Sequence, residues 1–274
     1  MQGPDCLNCG TPLAGRYCAA CGQKRIEPEE RRLAWFFRAL LESALGADGR
    51  LRRTLTSFLI RPGELGAAWL AGQRTRFLPP LGVFLLVNLV YFLAPPLTDF
   101  NLPLADQFGQ MGYGPQARAL VDARLAARGI ELAEYAHRFQ LEAYSLAKLI
   151  VVLHPLLMAP VLALVFWRRR IPLVDHLAVA LHLWAMVLLA MMLVPPLVGA
   201  IGDAFGASRA AVQIGFKSAL LAVVGGYIGV ALRRAYGLPR IWVVPGAIAV
   251  WIGGAVGHLF VYRPVLFYLA YGLS

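Results

Sequence analysis

Beyond residue 21 the chain has no cysteine: all four thiols of its 274 residues, Cys6, Cys9, Cys18 and Cys21, lie at the start. That excludes disulfide staples and thiol chemistry from the rest of the fold. Charge is also scarce, with Asp, Glu, Lys and Arg making up 15% of the residues, while 59% are hydrophobic and the mean hydropathy is +0.62. A soluble globular chain of this length rarely reaches such values. Acidic residues are scarcer still, 15 against 26 basic. No low-complexity tract or repeat of domain length is present. No apolar spanning run precedes about residue 78, so no cleavable signal peptide is expected and the first span directs insertion.

What the chain has in abundance is apolar sequence. Runs at about 78–97, 146–167, 173–201, 210–232 and 241–262 each meet the roughly 20 residues needed to cross about 30 Å of hydrocarbon. The expected fold is an all-α polytopic membrane protein of about five transmembrane helices. A further apolar stretch, Tyr262 to Leu273, is too short to span alone and reads as a continuation of the last helix past a kink or as an interfacial segment. Three divisions are expected: a zinc ribbon over 1–26, interfacial helices over 27–77, and a bundle over 78–274 with an outer loop at 98–145.

The cysteines form two C-x-x-C-G hooks, Cys6 to Gly10 and Cys18 to Gly22. Each hook turns two sulfurs toward one point, and the following glycine permits the tight backbone. Four thiolates so arranged suit a tetrahedral Zn2+, with Arg16, Lys24 and Arg25 available to balance the charge. Rubredoxin-like iron uses similar hooks, because spacing alone does not choose the metal. Disulfides would require an oxidising compartment. Coordination by four thiolates leaves no open position for a substrate water, so the site is expected to be structural or an interaction module.

Orientation follows from the arginines, since short basic loops stay cytosolic. Residues 1–77 carry twelve Lys or Arg, Arg168-Arg169-Arg170 joins the second and third runs, and Arg233, Arg234 and Arg240 flank the link between the fourth and fifth. The 98–145 loop holds six acids against four arginines. The expected topology is an N-terminus in the cytosol and a C-terminus outside, in a bacterial inner membrane. Because the bases sit at membrane boundaries, the net charge of +11 is assigned to orientation, and no nucleic acid partner is expected.

Leu33, Phe36, Phe37, Leu40, Leu41 and Ala44 recur at helical spacing. They predict either an amphipathic helix on an anionic leaflet or a packing helix covering the bundle. Short helices are expected over about Leu51 to Leu59, ending before Arg61-Pro62-Gly63, and through Trp69. Just before the first span, Arg74 and Arg76 sit at headgroup depth, where guanidinium forks can hold a lipid phosphate or simply anchor the chain. One or two surface helices, with a break at Gly129, are expected in the outer loop.

Inside the runs, the residues able to carry chemistry are His154, His176, His182 and His258. Asp175 and His182 share a helical face, with His176 about 100° away. Such imidazoles serve either interhelical hydrogen bonding or, if they face one another, a metal or haem with the Asp as support. Glycines at 225, 226, 229, 253, 254 and 257 allow close helix approach, while Pro155, Pro160, Pro195, Pro196 and Pro245 should kink or end helices.

Together the Cys6-x-x-Cys9-Gly10 and Tyr17-Cys18-x-x-Cys21-Gly22-Gln23 hooks, Arg61-Pro62-Gly63, Gly72-Gln73-Arg74-x-Arg76-Phe77-x-x-Pro80 and Asp175-His176-x5-His182 resemble a bacterial membrane family, domain of unknown function 3667. The resemblance implies a zinc-ribbon inner-membrane protein and carries no activity with it. No nucleophile, base and oxyanion arrangement is legible. The expectation is a non-enzymatic membrane protein whose ribbon engages a cytosolic protein partner or braces the bundle. The alternative is a small transporter or lipid-handling protein using Arg74, Arg76, Asp175, His176 and His182; a haem or metal redox protein stands third.

Overall fold

The computed structural model describes residues 5–6, 9–22, 49–73, 76–93 and 102–274. The chain divides into two units, Met1–Arg53 and Thr54–Ser274. The helix expected over Leu33 to Ala44 lies outside the described residues, as do Lys24, Arg25 and Arg74.

In the first unit the two hooks repeat one backbone design. Gly10 N–H donates to Cys6 O and Gly22 N–H to Cys18 O, both at 2.8 Å. The glycines sit at φ 73° and 72°, a left-handed geometry that a side chain would strain. Cys6 N–H donates to Thr11 O at 2.9 Å, and Asp5 bridges Pro12, closing the first hook into a small loop.

From residue 50 onward the described structure is helical. Helix α1 (Arg50–Ile60) and α2 (Glu64–Leu70) flank Arg61-Pro62-Gly63, close to the expected bounds. Helix α3 (Pro80–Leu93) begins at a proline, which is favoured in a first turn because its missing N–H has no helical partner there. Its 14 residues rise about 21 Å. The outer loop contains α4 (Leu104–Gln110), α5 (Gly114–Arg128) and most of α6 (Leu132–Ile150). Gly129, at φ 64°, stops α5 as expected.

Helix α6 meets α7 (Leu153–Val165) at a 47° bend. Arg168 to Arg170 then lead into α8 (Leu173–Ala204), followed by α9 (Arg209–Tyr236) and α10 (Val243–Gly257). The last helix does not break at its apolar end. A π-helical turn, His258–Tyr262, carries α10 into α11 (Arg263–Leu273), making a 34-residue rod from Arg240.

Among the described residues, three helices are long and apolar enough to cross a membrane: α8, α9 and the rod. The bent α6–α7 pair makes a fourth if it counts as one span. The sequence expectation of about five differs because α3 is short and because the second apolar run is shared between two helices. Of the prolines expected to kink or end helices, Pro195 and Pro196 do not end α8, which runs through both. Neighbouring helices can compensate the lost backbone bonds of such prolines.

Helix α8 is the axis of the bundle: 67% of its most apolar stretch is buried, against 22% for α9 and 11% for the rod. It packs on α3, α7 and α9 through a core that includes Phe84, Leu162, Leu183, Leu188 and Leu232. A second core joins the outer-loop helices to α11 through Val121, Tyr135, Phe139, Ala143, Phe267 and Ala270. The stretch after Tyr262 is therefore the mast on which the outer helices are mounted.

The expected glycine stripes divide in two. Side chains on Gly253, Gly254 and Gly257 would press on Val161, Met158 and Leu157 of α7, and one on Gly229 on Val243. Gly225 and Gly226 have nothing within 4 Å of a would-be Cβ.

Candidate functional site

Cys6, Cys9, Cys18 and Cys21 converge, their four Sγ atoms all lying within 4.8 Å of one another. Cys6 and Cys21 sulfurs are 3.6 Å apart, and Cys9 and Cys18 sulfurs 3.5 Å. A disulfide requires about 2.05 Å, so these are free thiols. The edge of a sulfur tetrahedron around zinc, with Zn–S near 2.3 Å, is about 3.8 Å; the donor set therefore fits one tetrahedral metal ion. Thr11 Oγ1 stands 3.3 Å from Cys9 Sγ, and hydrogen bonding at Thr11 pulls that thiol from 9.0 down to about 6. The neighbouring Cys18 is pushed up to about 11 beside it, so of this pair Cys9 is the thiol biased toward thiolate.

At the arginine-rich end of the bundle, the segment before α3 is locked to α8 and α9. Gly63 sits at φ 80°, and a Cβ there would lie 2.5 Å from Ala231 Cα, so backbone meets backbone. Arg234 donates to Pro62 O at 2.8 Å. Glu64 holds Arg76 at 2.9 Å and Arg61 at 3.6 Å. Trp69 Nε1 donates to Asp175 Oδ1 at 2.9 Å, and His176 Nδ1 meets Tyr236 Oη at 2.8 Å, with Tyr236 stacked on Phe166.

Of the sequence-predicted residues, Arg76, Asp175 and His176 are therefore found with separate hydrogen-bond partners. Arg76 is ion-paired, and Asp175 and His176 serve different partners on different helices. His182 is buried, and among the described residues neither ring nitrogen has a hydrogen-bond partner. Asp175 shares a face with it in sequence but engages α2 instead.

The facing imidazoles are His154 and His258, a pairing that separations along the chain could not reveal. His154 Nε2 lies 3.0 Å from His258 Nδ1, and Arg263 Nε donates to His258 Nε2 at 3.1 Å. Every proton in this chain of bonds follows from its arginine end. Guanidinium only donates, so His258 Nε2 accepts and the His258 proton is on Nδ1. His154 Nε2 must then accept, leaving its Nδ1 proton for Val151 O at 3.1 Å. Trp184 and Tyr262 pack on the His154 ring at centroid distances of 4.1 and 4.2 Å. Tyr262 donates to Ala147 O. A metal between these rings would stand beside the Arg263 charge, which disfavours a cation there. The π turn is what brings His258, Tyr262 and Arg263 to the α6–α7 bend, and such turns have no reliable mark in sequence.

Fold and site define a helical protein with apolar, membrane-length helices and an N-terminal four-cysteine cluster able to hold a metal ion. Residues 48–92, covering α1 to α3, match the family described as "Protein of unknown function (DUF3667)", and the match supports the family that the motifs resemble. That stretch includes Arg61-Pro62-Gly63, whose packing on α9 accounts for the glycine. No curated protein and no solved structure matches the chain.

Proposed function

We propose that the protein is a non-enzymatic, multi-pass protein of a bacterial inner membrane whose four cysteines hold one structural Zn2+, making the N-terminal unit a cytosolic module for docking a protein partner or bracing the membrane face. The convergence of four sulfurs within 4.8 Å carries this reading. Four thiolates complete a tetrahedron and leave no coordination position for a reacting water. The orientation rests on the arginines: Arg169 comes near Gly237, so the α7–α8 and α9–α10 links share one end of the bundle. The α1–α2 segment packs at that same end. With the short helix α3 and the bent α6–α7 pair each taken as a crossing beside α8, α9 and the rod, this topology has the N-terminus in the cytosol and the C-terminus outside.

The reading as a small transporter or lipid-handling protein built on Arg74, Arg76, Asp175, His176 and His182 has less support. Arg76, Asp175 and His176 are engaged by Glu64, Trp69 and Tyr236.

Metal analysis of the purified protein tests the proposal. One zinc per chain is expected, lost in Cys18→Ser while the helical circular dichroism stays unchanged. Iron in place of zinc, or zinc retained in Cys18→Ser, refutes it.

A further inference from the structure

We propose that the partly open apolar cavity lined by α7, α8, α9 and α10 binds one acyl chain of a membrane phospholipid. The cavity measures about 240 Å3, and its wall includes Met158, Met191, Val224, Ile228, Trp251 and Ala255, with His258 at one edge. It is larger than the roughly 150 Å3 apolar cavity known to stay dry and take up benzene.

The wall chemistry selects the occupant. A buried water needs two to four polar partners, and the imidazole at the edge already has both nitrogens committed, one to Arg263 and one to His154. A polar solute meets the same obstacle. What the wall offers is aliphatic carbon, indole faces and two methionine side chains, whose flexible thioethers adapt to an irregular guest.

Trp251 lines this cavity and also a groove of about 510 Å3 on the outer side of α9 and α10. Gly225 and Gly226, which would fill the groove if they carried side chains, line its floor. Trp251 thus borders both the groove and the cavity, which is itself partly open. Helices α9 and α10 are also the least buried of the long apolar helices, so hydrocarbon is the solvent on this side of the bundle.

This inference rests on the membrane reading above, and the test separates the two. The full-length protein is placed in nanodiscs of phosphatidylglycerol and phosphatidylethanolamine doped with a phosphatidylcholine bearing a diazirine at its acyl terminus. After photolysis the adducts are mapped by peptide mass spectrometry. Adducts are expected on the cavity residues Val187, Met191 and Val224 as well as on the outward residues Leu164 and Ile252. Ala255→Phe, which fills the cavity, should lower the inner adducts at least tenfold and leave the outer ones unchanged; Val187→Phe is the second filling variant should the first fail to fold. Adducts confined to outward residues, or inner adducts indifferent to both substitutions, overturn the proposal while leaving the membrane reading intact. No adduct anywhere overturns both.

Discussion

His182 supplies the sharpest energetic prediction. It is 5% exposed on the axial helix α8, and neither ring nitrogen finds a partner among the described residues. A neutral imidazole always carries one donor and one acceptor, and a buried polar group left unsatisfied costs about 1–3 kcal/mol. Leucine removes both polar atoms at similar volume, recovering about 2 kcal/mol, from which imperfect fit subtracts up to about 1 kcal/mol. His182→Leu is therefore expected to stabilise the protein by about 1 kcal/mol, a rise of about 3 °C in Tm for a domain of this size. The control is six residues away on the same helix. His176→Leu breaks the 2.8 Å bond to the Tyr236 hydroxyl and strands that hydroxyl, costing about 2 kcal/mol. Thermal unfolding in detergent, followed by circular dichroism, measures both. A His182→Leu protein that melts several degrees below wild type would sink the reasoning, because His182 would then hold a partner worth keeping.

Gly63→Ala combines left-handed strain with overlap on the Ala231 backbone and should destabilise by about 3 kcal/mol; a melt within one degree of wild type would refute the close approach. His258→Phe keeps a ring beside Tyr262 but strands Arg263 Nε and His154 Nε2, with an expected loss of about 3 kcal/mol in the same assay, and an unchanged melt would refute the hydrogen-bonded chain. Acid should strip the metal, because thiolates bind it and thiols do not. Deprotonation favours the bound state, so metal content holds near neutrality and falls as pH drops below about 5; release independent of pH between neutrality and that point would exclude a thiolate site. Trp69→Phe removes the bond to Asp175 and should cost about 1 kcal/mol, with no effect counting against that contact.

Legibility in the sequence varied with the range of the interaction. The cysteine hooks were readable because ligands, glycines and turns all lie within a few residues of one another, and φ near 72° at Gly10 and Gly22 is the local geometry their spacing anticipates. The breaks at Arg61-Pro62-Gly63 and Gly129 were readable for the same reason. The histidines were legible only as candidates for interhelical hydrogen bonding, which His176 makes to Tyr236 and His154 to His258; which helix would supply each partner was not, because a helix turns successive side chains toward different neighbours. The helix count also escaped sequence reading: hydropathy marks an apolar run but does not say whether the chain bends within it, as it does between α6 and α7.

A four-cysteine cluster, a set of apolar helices and a basic end could all be read from residue order, since each depends on composition or on contacts a few residues long. Long-range packing made α8 the axis, set Gly63 against α9, and carried the last apolar stretch on as a continuous rod supporting the outer helices. It also joined His154 to His258, 104 residues apart. A hydrogen bond or a packed cavity wall needs atoms within a few ångströms, and nothing local in an apolar helix specifies which other helix will stand there.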